Sequence, residues 1–272
     1  MSSMRTLERH ECTIAFELAE SGEGETVVLL HGFGMSRQSL RPLAASLREC
    51  GAAARTLLPD ARGHGNTLAP EEDGAYRYHS MRNDVCALLD NEAPLGAHLV
   101  GHSMGGQIAL MASLARPELV RSLTVIGGGP CRAVTDDREK RVWQRAARSF
   151  DQSTQAELYA SLESAAPTTA AELTPERLYA GARGADLARV VRGGFLHVED
   201  NHEACRQLDR PTLVIAGAND GNWLAASQQL AELIPGSVLE IVQGGGHLVH
   251  LERPEVCARW IADLIGDTQV AG

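Results

Sequence analysis

The chain has 272 residues, 44% of them hydrophobic, enough to bury a full core in one large α/β domain or in a domain carrying an insertion. A formal net charge of −10 and a pI near 5.5 argue against nucleic-acid binding, which needs a basic face to neutralise phosphates. No apolar run approaches the length of a membrane span, and the polar opening Met1–Cys12 has no signal-peptide core, so the expectation is a cytoplasmic protein without a membrane partner.

Thr13–Leu18 alternates weakly, a turn follows at Glu20-Ser21-Gly22-Glu23-Gly24-Glu25, and Thr26–Leu30 is a continuous apolar run; together they predict a hairpin feeding a buried strand. That strand ends in His31-Gly32-Phe33-Gly34-Met35-Ser36, where the glycines let backbone N–H groups approach a ligand. Leu40, Leu43, Ala44 and Leu47 predict a helix from about Ser39 to Cys50, with Pro42 in its first turn and Gly51 beyond its end. A strand over Ala52–Leu58 runs into the polar loop Pro59–Thr67, and Asp84–Leu89 reads as a helix. An apolar run (Ala97, Leu99, Val100) then enters Gly101-His102-Ser103-Met104-Gly105-Gly106, and Ile108–Met111 leaves it as a helix stopped by Pro117. Leu119–Ile126 is another buried strand, ending in Gly127-Gly128-Gly129-Pro130.

The alternation of strand and helix breaks there. From Cys131 to about Gln207 the pattern is helical, and it includes a short Ala/Thr run at Ala165–Ala171. Strand and helix resume with Thr212–Ala216, a helix near Trp223–Leu233, the strand Val238–Val242 and a last helix from Pro254 that buries Val256, Trp260, Ile261, Leu264 and Ile265. The expected organisation is therefore a core of residues 1–130 and 208–272, with a helical cap at 131–207 inserted into a parallel-sheet domain.

Gly-x-Ser-x-Gly on a strand-to-helix turn is a nucleophile elbow: the turn is so tight that small residues must flank the serine, and it lifts the Ser103 hydroxyl above the sheet. With it, four further stretches stand at strand ends in order: His31-Gly32-Phe33-Gly34, Asp60-Ala61-Arg62-Gly63-His64-Gly65, Gly217-Ala218-Asn219-Asp220, and Gly246-His247 followed by Glu252-Arg253-Pro254-Glu255. Over nearly its whole length the chain resembles the α/β-hydrolase superfamily, in its capped serine esterase and lactonase branch. The resemblance implies a mostly parallel sheet flanked by helices, with the cap inserted after the strand that ends near Ile126.

It also implies roles. Ser103 is the expected nucleophile; a serine hydroxyl is too weakly acidic to attack alone and needs a base. His247, on a glycine-rich loop, is the expected base, with His250 three positions on as its rival. Asp220 is the expected orienting acid, against a bland reading as a cap of the helix near Trp223, a role Asn222 could also fill. Some relatives carry the acid one strand earlier, where this chain has only Gly127-Gly128-Gly129. The expected oxyanion hole is the backbone N–H of Met104 and of Phe33, and Phe33 could also wall the acyl pocket. His31, His64 and His102 read as structural loop residues. Trp223 stands where many relatives carry a proline-containing turn, and is a candidate to narrow the substrate pocket or to pack under the cap.

No His/Cys/Asp/Glu cluster has metal-ligand spacing and no G-x-G-x-x-G opens a helix, so neither metal nor other cofactor is expected. The six cysteines are scattered without a C-x-x-C pair and read as reduced thiols in apolar surroundings. The expected function is hydrolysis of a small carboxylic ester, lactone or thioester through an acyl-enzyme. The same scaffold also serves lyase or elimination steps, carbon–carbon bond hydrolysis and non-catalytic ligand reception, because cap shape rather than scaffold sets the substrate. Arg138, Arg141, Arg145 and Arg148 recur at helical spacing as a basic stripe, with Val142, Ala146 and Phe150 expected to face inward. The stripe is either a solvated face or a lure for an anionic substrate or an acyl-carrying protein. Lys140 is the only lysine.

Overall fold

The computed structural model describes residues 2–9, 11–22, 24–167 and 174–270; Glu23 of the early turn and positions 168–171 of the Ala/Thr run lie outside them. Eight strands form one sheet: β1 (Ser2–Arg9), β2 (Cys12–Glu20), β3 (Thr26–Leu30), β4 (Arg55–Pro59), β5 (Ala97–His102), β6 (Val120–Ile126), β7 (Thr212–Gly217) and β8 (Val238–Val242). Their spatial order is β1-β2-β4-β3-β5-β6-β7-β8, antiparallel at β1–β2 and β2–β4 and parallel everywhere else. The expected mostly parallel sheet is thus present, with two differences at its amino-terminal edge. The polar opening segment is itself an edge strand, and β2 pairs with β1 and β4 rather than forming a hairpin with β3.

The helices of the core are α1 (Arg41–Glu49), α2 (Tyr78–Glu92) and α3 (Met104–Ala115). After β6 come α4 (Asp137–Gln152), α5 (Gln155–Ala165), α6 (Pro175–Leu178), α7 (Gly184–Arg189) and α8 (His202–Arg206), and then the core resumes with α9 (Asn222–Leu233), α10 (Val249–Glu252) and α11 (Pro254–Val270). Strand residues alternate between two faces. Val27 and Leu29 join Leu43 and Leu47 of α1 and Ile261 and Ile265 of α11 on one face, while Val28 and Leu30 join Leu88 and Leu89 of α2 and Ile108 of α3 on the other. Removing a leucine side chain such as Leu29 from water stabilises the fold by about 1.5–3 kcal/mol, and such residues cover both faces of the central strands.

Adjacent strands β6 and β7 are separated in sequence by the helices α4 to α8, so that segment is an excursion from the sheet. Its two ends are pinned to each other: Cys131 N–H donates to Asn201 Oδ1 (2.7 Å) and Asn201 N–H donates to the Cys131 carbonyl (3.1 Å). Asp136 caps α4 by accepting from the N–H groups of Arg138 and Glu139, and Thr154 with Glu157 closes a capping box on α5. On α4 the expected inward face needs correction. Ala146 and Phe150 turn inward as expected, joined by Trp143 and Ala147, whereas Val142 is 60% exposed beside the arginine stripe, whose four side chains are exposed. All six cysteines carry free thiols, and Cys12, Cys131, Cys205 and Cys257 are buried.

Candidate active site

The carboxyl ends of β3, β5, β6, β7 and β8 lie along one edge of the sheet, and the loops leaving them meet there. Ser103, between β5 and α3, has φ 50° and ψ −115°, the only positive φ among the described non-glycine residues. Holding it there costs about 1–3 kcal/mol, and the packing around it leaves no alternative. A Cβ on Gly105 would stand 2.2 Å from the Leu30 carbonyl oxygen, and one on Gly101 would stand 2.3 Å from that of Gly105, so neither position accepts a side chain. Ser103 N–H donates to the Ile126 carbonyl (2.9 Å), which ties the turn to the neighbouring strand.

Ser103 Oγ lies 3.1 Å from His247 Nε2, and His247 Nδ1 lies 2.9 and 3.0 Å from the two carboxylate oxygens of Asp220. The three residues singled out in the sequence are therefore brought together. Asp220 is buried, and its carboxylate is engaged with the imidazole; the helix that follows is capped by Gly221. The acid and base loops are laced to each other, since Asn219 N–H donates to the Gly245 carbonyl (2.8 Å). Gly127 lies beside the pair, and any side chain there would approach Asp220 Oδ2 and His247 Nδ1 to 3.3 Å. The missing acid after β6 thus leaves room for the one supplied after β7.

His250 is fully buried, its ring nitrogens have no hydrogen-bond partner, and burial pushes its pKa down to about 3. It stacks on His102 with ring centroids 4.1 Å apart, away from Ser103 contact. His102 in turn donates from Nε2 to the His247 carbonyl (2.9 Å), and burial holds its pKa well below the usual imidazole range. Glu252 accepts the Gly246 N–H at 2.8 Å and steadies the other side of the His247 loop.

The turn His31-Gly32-Phe33-Gly34 is held from the opposite loop. Ala61 N–H donates to His31 Nε2 (3.0 Å), and Gly34 N–H donates to His64 Nε2 (3.0 Å), while each Nδ1 sits on a backbone carbonyl. Burial depresses both imidazoles, His64 to about 3, so both stay neutral and able to accept. Asp60 fixes that second loop by accepting from the Arg37 backbone N–H (2.8 Å), the Arg37 guanidinium and Asn66 N–H (2.9 Å). Phe33 and Met104 both line the same cavity as Ser103, Met104 being the first residue of α3, where a backbone N–H has no partner within the helix.

That cavity has a volume of about 770 Å³ and lies between the sheet edge and the helical excursion. Phe33, Trp143, Phe150 and Phe195 wall one part of it, and Arg132, Glu139, His202 and Gln229 edge another. Of the two placements expected for Trp223, the structure has it lining the cavity: it is 41% exposed and lies over the His247 ring, with centroids 5.4 Å apart. Among the described residues no group of three or more His, Cys, Asp or Glu side chains is placed to hold a metal ion, and no helix is long and apolar enough to cross a membrane. Of this aromatic wall the sequence suggested Phe33 as a pocket residue and Phe150 as inward-facing; Trp143 and Phe195 were not recognisable, because the fold alone brings α4 and the end of the excursion over the β3–α1 turn.

A sequence model of the Alpha/beta hydrolase family matches residues 27–260. The chain is 27% identical to a Bacillus subtilis (strain 168) protein provisionally named a 2-succinyl-6-hydroxy-2,4-cyclohexadiene-1-carboxylate synthase, covering 93% of this chain and 95% of that one. It is also 27% identical to the 2-(acetamidomethylene)succinate hydrolase of Mesorhizobium japonicum, over 93% of this chain and 92% of the relative. Among solved structures, a hydrolase from Pseudomonas aeruginosa PA01 superposes with a TM-score of 0.84 at 23% identity, covering 97% and 98% of the two chains, a likeness of fold.

Proposed function

Because the chain belongs to the Alpha/beta hydrolase family, we propose that it is a serine hydrolase that cleaves a small carboxylic ester, lactone or thioester through an acyl-enzyme on Ser103. The observation that carries this reading is the hydrogen-bonded line Asp220–His247–Ser103 opening into the cavity. His247 Nε2 takes the Ser103 proton as Oγ bonds to the acyl carbon, and the carbonyl π electrons move onto oxygen. The Phe33 and Met104 N–H groups receive that oxyanion; removing one such donor typically costs about 10²–10³ in rate. The intermediate collapses, the bond to the leaving group breaks, and His247 returns the proton to it. Water, deprotonated by the same imidazole, then releases the acid and restores Ser103. Asp220 holds Nδ1–H toward itself and stabilises the imidazolium formed in each half.

A second reading, elimination by the same His247 base, draws support from the identity with the Bacillus subtilis protein, whose name is that of a synthase. A panel of activated esters with intact-mass detection separates the two. Hydrolysis predicts turnover and a transient acyl adduct on Ser103, abolished in Ser103→Ala; neither turnover nor adduct on a folded protein would favour elimination.

A further inference from the structure

His247 has to keep its ring in one place, yet the loop that carries it is entered through Gly244-Gly245-Gly246, the most permissive backbone a chain can have. Gly244 stands at φ 75°, in the left-handed region. The local backbone leaves the imidazole free to move, so its position is set by what grips the loop from outside. The Glu252 carboxylate holds Gly246, and the Asn219 N–H holds Gly245. The backbone of His247 itself is gripped by a side chain, with His102 Nε2 2.9 Å from its carbonyl oxygen.

His102 stands on rigid ground. It is the last residue of β5, paired with Ile126 of β6 inside the sheet, and it is covalently joined to Ser103. A carbonyl accepts, so Nε2 is the protonated nitrogen and Nδ1 is bare in the neutral ring. Nδ1 has no hydrogen-bond partner and faces Gly32, where a Cβ would stand 2.6 Å from it and 3.5 Å from Ser103 Cβ. Gly32 immediately precedes Phe33, the proposed oxyanion donor. Two further rings pack against His102, His250 at 4.1 Å and His247 at 4.9 Å between centroids. One side chain thus meets the base loop by a hydrogen bond, the oxyanion turn by close contact and the nucleophile through the chain. A leucine would occupy the space without leaving a buried nitrogen unpaired, which costs stability. It would not hold the His247 carbonyl.

We infer that His102 is a positioning residue, which sets where the His247 base and the Phe33 turn stand relative to Ser103 by acting through the His247 carbonyl and Gly32. The inference rests on the hydrolase reading above and adds a residue to the same site. It gives the histidine of the elbow, read from the sequence as a structural loop residue, a part in the rate. Burial keeps the ring neutral, so it brings no charge beside the imidazolium that forms on His247.

The test replaces His102 by Gln, Asn and Leu. The Gln amide nitrogen lies as far along the side chain as Nε2 and donates to the same carbonyl; the Asn amide ends at the distance of Nδ1, and Leu donates nothing. On a 4-nitrophenyl ester, kcat is expected to fall about 10–100-fold in His102→Leu and His102→Asn, with KM within about twofold, the scale of loss when a catalytic group is misplaced by about an ångström. His102→Gln should recover most of that loss. Rates are taken per folded molecule, with circular dichroism and Tm measured for each variant. A second readout needs no turnover: the downfield NMR resonance of the proton between His247 Nδ1 and Asp220 should shift or broaden in the Leu and Asn variants and persist in Gln. Activity that merely follows Tm across the three variants, an undiminished kcat in His102→Leu, or a loss in His102→Gln as deep as in His102→Asn overturns the inference and leaves His102 as core packing. Fluorophosphonate labelling of Ser103 in the unsubstituted protein is scored separately. If it neither labels nor turns over while the resonance still responds to Leu and not to Gln, the hydrolase reading falls and the positioning of His247 by His102 stands.

Discussion

His31 and His64 belong to different loops, and each accepts a backbone N–H from the loop that carries the other. That reciprocal lacing holds the turn that carries Phe33, so both rings would act on the proposed oxyanion donor without touching it. His64→Ala is expected to lower kcat about 10–100-fold with KM little changed, because a donor that serves the transition state is loosened; an equal rise in KM would show that the pocket itself had collapsed. Asp220→Asn should lower kcat by up to about 10⁴-fold, by presenting the wrong tautomer of His247, measured on a substrate whose chemistry is rate-limiting. Tyr179→Phe removes a buried hydroxyl that bonds to nothing, so thermal unfolding of the ligand-free protein should hold or rise, by up to about 1 kcal/mol. Ser103, Asp220 and His247 were legible in the sequence because each sits in a short glycine-marked stretch at a strand end. The His31–His64 lacing and the Tyr179 hydroxyl were not, since both depend on which distant segments the fold makes neighbours.

Most elements of the sheet were likewise written in local pattern, and the exceptions have physical causes. The edge strand β1 alternates too little and is too exposed to carry a hydrophobic signature; it is held by its backbone ladder with β2. The pairing of β2 with β4 depends on β4's position in the sheet, which nothing between β2 and β3 encodes. Asp84 sits inside α2 with its carboxylate buried on Arg62 (2.6 Å), so the charge that marks a helix start in the sequence is a mid-helix ion pair in the fold. On α4 the misassigned face follows from counting Val142 as inward, when Trp143 one position on takes the cavity side. The arginine stripe points away from that cavity. Reversing Arg141 and Arg145 to Glu is therefore expected to leave kcat/KM for neutral esters within about twofold at low and high salt, because neither side chain lines the cavity and a neutral ester carries no net charge for the stripe to attract. A salt-dependent loss confined to anionic or carrier-bound acyl donors would instead make the stripe a docking face.

Across the whole molecule, five of the ten histidines are buried with depressed pKa values, His31, His64, His98, His102 and His250, burial being the main cause for each. The unfolded chain takes up a proton at each of them below about pH 6.5, while folded His64 and His250 resist until about pH 3. Stability is thus fully present above that range and declines as pH falls through it, by up to about 1.4 kcal/mol per pH unit for each ring. Differential scanning calorimetry from pH 7.5 to 4.5 should show a steadily falling Tm with proton uptake on unfolding; a flat Tm would mean the rings are charged in the native state. A different use follows from the lone lysine. Lys140 lies on α4 with its side chain 42% exposed, one helical turn before Trp143, which with Phe150 lines the cavity. An amine-reactive dye therefore has a single side chain to choose, and its attachment there makes the protein a ready-made optical sensor: quenching by Trp143 would track the distance between reporter and pocket as molecules enter and leave, with no cysteine removed and no residue replaced.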